Sequence, residues 1–133
     1  MKTDEAIKTD IFKHIKGSEL AQTITGKVSK RKRPHNSTKE DILISVLANV
    51  NGQIQTATVN VNIYVADITV DNQPEEDTVR LEQLCDLAVN LFEVFAGPNN
   101  EWRATLLSQR VMEANGTNEH IINNQIEIKI LNE

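Results

Sequence analysis

The stretch Ala57–Val65, ATVNVNIYV, constrains this chain more than any other part of it. Ala57, Val59, Val61, Ile63 and Val65 alternate with Thr58, Asn60, Asn62 and Tyr64. Successive side chains of a strand point to opposite faces, so the apolar set shares one face and the polar set the other. One face needs a core and the other does not.

The neighbouring segments fit a sheet around this strand. Ile42–Ala48 is apolar at almost every position and reads as a central strand buried on both faces. Asn51-Gly52 follows it and suits a tight hairpin turn, whose central residues must tolerate positive φ. Trp102–Met112 and Ile121–Leu131 read as two further strands around a turn at Asn115-Gly116. A short, very basic strand is expected at Val28–Arg33, cut off by Pro34.

Two helices complete the pattern. Thr3 is an N-cap candidate for residues 3–16, where Ile7, Ile11 and Ile15 recur at helical spacing before Gly17. Ser18–Ala21 starts a short turn. Asn72–Thr78 reads as a loop into a longer helix that runs to about Phe95. Its core stripe is Leu81, Leu84, Cys85, Ala88, Leu91, Phe92 and Phe95, and Gly97-Pro98 ends it. The expected fold is a two-layer α+β domain over residues 1–133: an antiparallel sheet of about four to five strands, helices on one face, order α-β-β-β-α-β-β.

Chemistry is sparse in the sequence. His14, His35 and His120 stand in no metal-ligand spacing and are expected on the surface. Cys85, the only cysteine, lies on the helix core stripe, where an inert thiol is expected. Thr25-Gly26-Lys27-Val28-Ser29 lacks the upstream glycine of a phosphate loop. No catalytic constellation, metal site, cofactor or small-molecule substrate is indicated. Net charge is −5, which argues against a broad nucleic-acid-binding field. No apolar run approaches the ~18 residues of a membrane span, so an intracellular soluble chain is expected.

Three features invite a partner. Lys30, Arg31, Lys32 and Arg33 form a basic run. It can be a strand edge guarded by charge, a grip on an acidic partner subunit, a contact with DNA backbone or an import signal. Glu75, Glu76 and Asp77 open the acidic helix segment. Leu87 and Val94 lie off the helix core stripe, either wedged deeper in the core or touching a neighbouring subunit.

The order of these elements resembles the phage and prophage tail-completion proteins, the tail terminators and head–tail joining subunits. The likeness runs through ITGKVSKRKRP, EDILISVLA, TATVNVNIYVADI, TVRLEQLCDLAVNLFEVF, WRATLLSQRVME and IINNQIEIKI, nearly the whole chain. It is a likeness of pattern, without a diagnostic motif. Relatives often place a proline directly before the buried strand, where this chain has Glu40-Asp41. The resemblance implies a non-enzymatic subunit that forms a closed ring, commonly a hexamer. Such a ring caps the tail tube and meets the head connector, in the bacterial host cytoplasm and then the virion tail. A ring needs two different patches that meet between copies. Lys30–Arg33 and Glu75–Asp77, with opposite charge, are the expected pair.

Overall fold

The computed structural model describes residues 1–132; Glu133, the last residue of the expected domain, lies outside them. Three helices form, α1 (Asp4–Ile15), α2 (Glu19–Thr23) and α3 (Thr78–Phe92). Each begins on a side-chain cap: Thr3, Ser18 and Asp77 accept hydrogen bonds from the N–H groups of Ala6, Ala21 and Arg80. Those donors have no partner inside the helix, so the caps fix where each helix starts.

Eight strands follow the chain as β1 (Val28–Ser29), β2 (Ile42–Val50), β3 (Ile54–Ala66), β4 (Ile68–Val70), β5 (Gln73–Glu75), β6 (Val94–Ala96), β7 (Trp102–Glu113) and β8 (Glu119–Leu131). Six of them make one sheet in the order β1-β2-β3-β8-β7-β6, and β4-β5 is a separate two-stranded ribbon. The α+β class matches the expectation, but the sheet is larger and it is mixed. β1 runs parallel to β2, with Val28 opposite Ile42, while the other pairings are antiparallel.

The alternation of β3 is borne out in full. Ala57, Val59, Val61, Ile63 and Val65 are buried beneath the helices, and the polar residues between them are half-buried on the bare face. β8 continues this division across the sheet, with Ile122, Ile126 and Ile128 buried. Ile7, Ile11 and Ile15 of α1 and Leu81, Leu84, Ala88 and Phe92 of α3 close the core from one side. Full burial of each isoleucine, leucine or phenylalanine side chain among them contributes about 1.5–3 kcal/mol relative to exposure. Among the described residues no helix covers the other face, on which Thr56, Thr58, Asn60 and Asn62 stand opposite Lys129, Glu127, Gln125 and Asn123.

Four local expectations need correction. β2 is not buried on both faces: Ile42 and Ile44 are in the core, but Ser45, Leu47, Ala48 and Val50 are exposed. Its apolar run reflects an uncovered face and edge. Asn51-Gly52 does not adopt a positive-φ turn; the connection is longer and is tied by Asn132, whose Nδ2 donates to Gly52 O at 2.8 Å. A positive-φ pair stands instead at Asp71 (φ 51°) and Asn72 (φ 63°), between β4 and β5, so that Gln73–Glu75 of the expected Asn72–Thr78 loop is strand. Finally, α3 stops at Phe92, and Val94–Ala96 pairs with β7 as a strand.

Two bulges bend the sheet at one level. The register slips between Val46 and Ala48 in β2 and between Leu106 and Ser108 in β7. Both slips flank the central Val59–Ile126 pair of β3 and β8. An extra residue in a strand increases local twist, so aligned bulges curl the whole sheet there. Leu47 and Leu107, the skipped residues, stay exposed.

Candidate functional site

The basic run does not form a strand beyond Ser29, and its four cations have different fates. Lys30 Nζ donates to Thr9 Oγ1 at 3.1 Å and sits over the Phe12 ring. Arg33 turns inward. Its Nε donates to Asp41 Oδ2 at 3.0 Å, and its two terminal nitrogens reach Glu119 Oε1 and Oε2 at 2.9 and 2.8 Å. Its guanidinium carbon stands 4.0 Å from the centre of the Tyr64 ring. Only Arg31 and Lys32 of the run are exposed.

Arg33 is half of a clasp around the entry to β2. Arg80, at the start of α3, holds the Glu40 carboxylate through Nε and Nη2, both at 2.6 Å, and donates to Thr23 O. The N–H groups of Thr25 and Lys27 donate to Glu40 Oε1 and Asp41 Oδ1. The Ser37 hydroxyl donates to Asp41 as well. Charges taken out of water need such complete partnering, because an unpaired one costs several kcal/mol. Burial pushes the Asp41 carboxyl up, but Ser37, the Lys27 N–H and Arg33 outweigh it and hold the carboxyl below its ordinary range. The Glu119 carboxylate, against the cost of burial and with help from Asp41, raises the Arg33 guanidinium above its ordinary value. Glu40 does the same for Arg80.

Gly26 is required at this point. A Cβ there would lie 2.2 Å from Asp41 Oδ1 and 2.6 Å from Glu40 O. The sequence carried one signal of the clasp, a charged pair standing directly before an apolar strand. Arg80, Glu119 and Tyr64 join it from distant segments, and no local pattern in the sequence marks them.

The acidic segment lies beside the clasp. Glu75 ends the β4-β5 ribbon, Glu76 is exposed and Asp77 caps α3. His120, next to Glu119 in β8, bonds through Nδ1 to Asp67 Oδ1 at 2.6 Å, and its Nε2 is 3.8 Å from Glu76 Oε2. Within one chain, then, Arg33 of the basic run is held by Glu119, and Glu76 of the acidic segment lies near the adjacent residue of β8, His120. His120 is not the surface residue expected. Nor is His14, which stacks on Phe95 with ring centres 3.9 Å apart; its Nε2 is 2.8 Å from Leu91 O. His35 is exposed, as expected.

The remaining candidates separate. Leu87 is half-buried and packs on the core, whereas Val94 is exposed on β6. Val94, Ile54 and Leu131 flank an open groove of about 510 Å³ at one end of the bare face, with Arg103, Glu127 and Lys129. Cys85 is half-buried, and burial, with Asp86 nearby, raises its thiol. That disfavours the reactive thiolate. Among the described residues no group of histidine, cysteine, aspartate and glutamate is placed to hold a metal ion, and no helix is long and apolar enough to cross a membrane.

The sheet also has two open margins. β1 pairs only with Ile42 and Leu43, which among the described residues leaves Ile44–Val50 of β2 without an outer strand. β6 pairs only with Arg103–Thr105, which leaves β7 open from its bulge to Glu113. No protein-family model matches this chain, and no curated protein matches it.

Proposed function

We propose that this chain is a non-enzymatic structural subunit of the phage or prophage tail-completion type. It assembles into a ring that caps a tail tube and joins it to the head connector. The observation that carries this reading is the one-sided sheet with an open margin on each side. Such a sheet offers two different surfaces, the requirement for head-to-tail closure. The order of the long elements, helix, hairpin, helix, hairpin, also agrees with the resemblance.

The contact between Lys30–Arg33 and Glu75–Asp77 of the next copy narrows to Arg31 and Lys32 on the basic side, because Lys30 and Arg33 are engaged internally. A DNA-binding role for the run loses support for the same reason. Charge reversal at Arg31 and Lys32 tests the contact without touching the clasp.

Sedimentation velocity over a wide concentration range, at low and moderate salt, tests the reading when paired with electron micrographs of the largest species. A defined particle with a central opening is expected. A chain that stays monomeric throughout and shows no annular particle overturns it.

A further inference from the structure

The open edge of β2 lacks the usual protections. From Ile42 to Ile54 the sequence ILISVLANVNGQI contains no charged residue and no proline. Unpaired strand edges template association, and folded proteins block them with charge, proline, bulges or covering elements. Here a bulge is present, but Leu47 and Val50 remain 60% and 63% exposed beside it. An edge of this composition is an aggregation hazard unless a strand occupies it.

The chain carries a matching edge on its other side. The Ile42 N–H points away from β3, to Lys27 O, so alternation directs the N–H and C=O groups of Ile44 and Val46 outward. The bulge at Leu47 shifts the alternation by one and passes the outward position to Asn49. On β7 the Leu106 N–H points away from β8, to Glu93 O, and the bulge at Leu107 passes the outward positions to Gln109, Val111 and Glu113. No hydrogen bond satisfies these outward backbone groups among the described residues. On both edges the outward residues have side chains on the helix-covered side. This follows from the alternation of β2, β3, β8 and β7, an even number of antiparallel strands.

We propose that Ile44–Val50 of one copy pairs antiparallel with Ser108–Glu113 of a second copy, so that the sheet runs on from subunit to subunit. The register that uses every outward position on both edges satisfies side-chain face and hydrogen-bond direction together. Ile44 stands opposite Glu113, Val46 opposite Val111, Asn49 opposite Gln109, and Val50 opposite Ser108, with Leu47 as the extra residue. The short flanking strands set the limits: β1 blocks the edge before Ile44 and β6 blocks the edge before the β7 bulge. They lie at opposite ends of the joint, so the two copies must slide along the strands before they can pair. Such stagger is what a sheet needs to close on itself. The number of copies rests on the ring reading above; the pairing rests on the edges.

The test uses Val50→Cys and Ser108→Cys, each made in the Cys85→Ser chain so that no other thiol is present. Val50 and Ser108 form a narrow, non-hydrogen-bonded pair in this register, where facing side chains come closest. On oxidation, a mixture of the two variants is expected to give covalent dimers, and neither variant alone. Leu47→Lys and Val50→Lys, at exposed positions, are expected to weaken association about tenfold or more without lowering the melting temperature. Cross-linking of the Val50→Cys variant to itself overturns the proposal in favour of a two-fold contact. Annular particles that form without any Val50–Ser108 cross-link overturn the pairing and leave the ring reading standing. A monomer at every concentration, with no cross-link, overturns both.

Discussion

The two ends of β2 treat polar groups in opposite ways. At its entry, Glu40 and Asp41 are buried, and arginines, backbone N–H groups and a serine hydroxyl partner their carboxylates. At its exit, Ala48 and Val50 are exposed on an edge with no charge and with unpaired backbone groups. The chain spends its electrostatic capacity inside itself at one end and leaves hydrogen-bonding capacity unspent at the other. Most of the charge around β2 serves to fix the fold. The proposed contact between copies lies where the backbone is unfinished.

The largest effect should come from opening the clasp. Arg33→Ala leaves Asp41, 1% exposed, and Glu119, 7% exposed, without their guanidinium. Removing one partner of a buried ion pair costs about 3–5 kcal/mol, so urea unfolding should show a loss of that size. A loss below about 1 kcal/mol would mean that water or Lys39 replaces the arginine, and the contrast between the two ends of β2 would disappear. Arg31→Ala, at the exposed neighbour, is the control and should leave stability unchanged.

Gly26→Ala should rank next. The added methyl collides with Asp41 Oδ1 and with the Glu40 backbone, which cannot move freely. Forced overpacking costs about 1–3 kcal/mol. Gly97→Ala offers a comparison away from the clasp, since its methyl would lie 2.3 Å from Trp102 Nε1. Both variants should unfold at lower denaturant, with Gly26→Ala alone removing the acid dependence described next.

That dependence follows from Asp41. Its carboxyl titrates lower in the folded chain than in the unfolded one, so the folded state binds fewer protons in acid. The stabilisation is complete above the unfolded aspartate value of about 3.9 and is lost as pH falls through the folded value. Melting temperature should therefore fall more steeply below about pH 4 in the parent chain than in Asp41→Asn. Parallel curves would show that Asp41 gains nothing from its charge.

These contrasts explain what could be read from sequence. The faces of β3 were legible because nine consecutive residues, Ala57–Val65, keep a strict period, and burial on one face of a sheet imposes that period. The caps at Thr3 and the stripe of α1 were legible for a similar reason, since capping and helical spacing are local. The fate of Arg33 was not. Whether a cation is solvated or clasped depends on Glu119, far away in sequence, and no local pattern encodes that meeting. β2 misled for a subtler reason: an apolar run fits a doubly buried strand and an uncovered edge equally well. The sequence pattern reports that Leu47 and Val50 are apolar, and only the topology shows that β1 stops before reaching them.

The smallest effect on stability should come from the exit end. Leu47 touches little in the isolated chain, so Leu47→Ser should change unfolding free energy by no more than about 0.5 kcal/mol. If the exposed edge is finished by a second copy, the same substitution must matter at concentrations where copies meet. Two measurements on one variant then separate the roles of this strand: denaturant unfolding at low concentration, and hydrogen exchange at Ile44, Val46 and Asn49 at high concentration. In the parent chain these three amides should slow as concentration rises, whereas Leu43 and Ser45, which already face β3, should not respond. Concentration-independent exchange at all five would mean that the edge stays open to water. The bare exit of β2 would then be tolerated by its bulge alone.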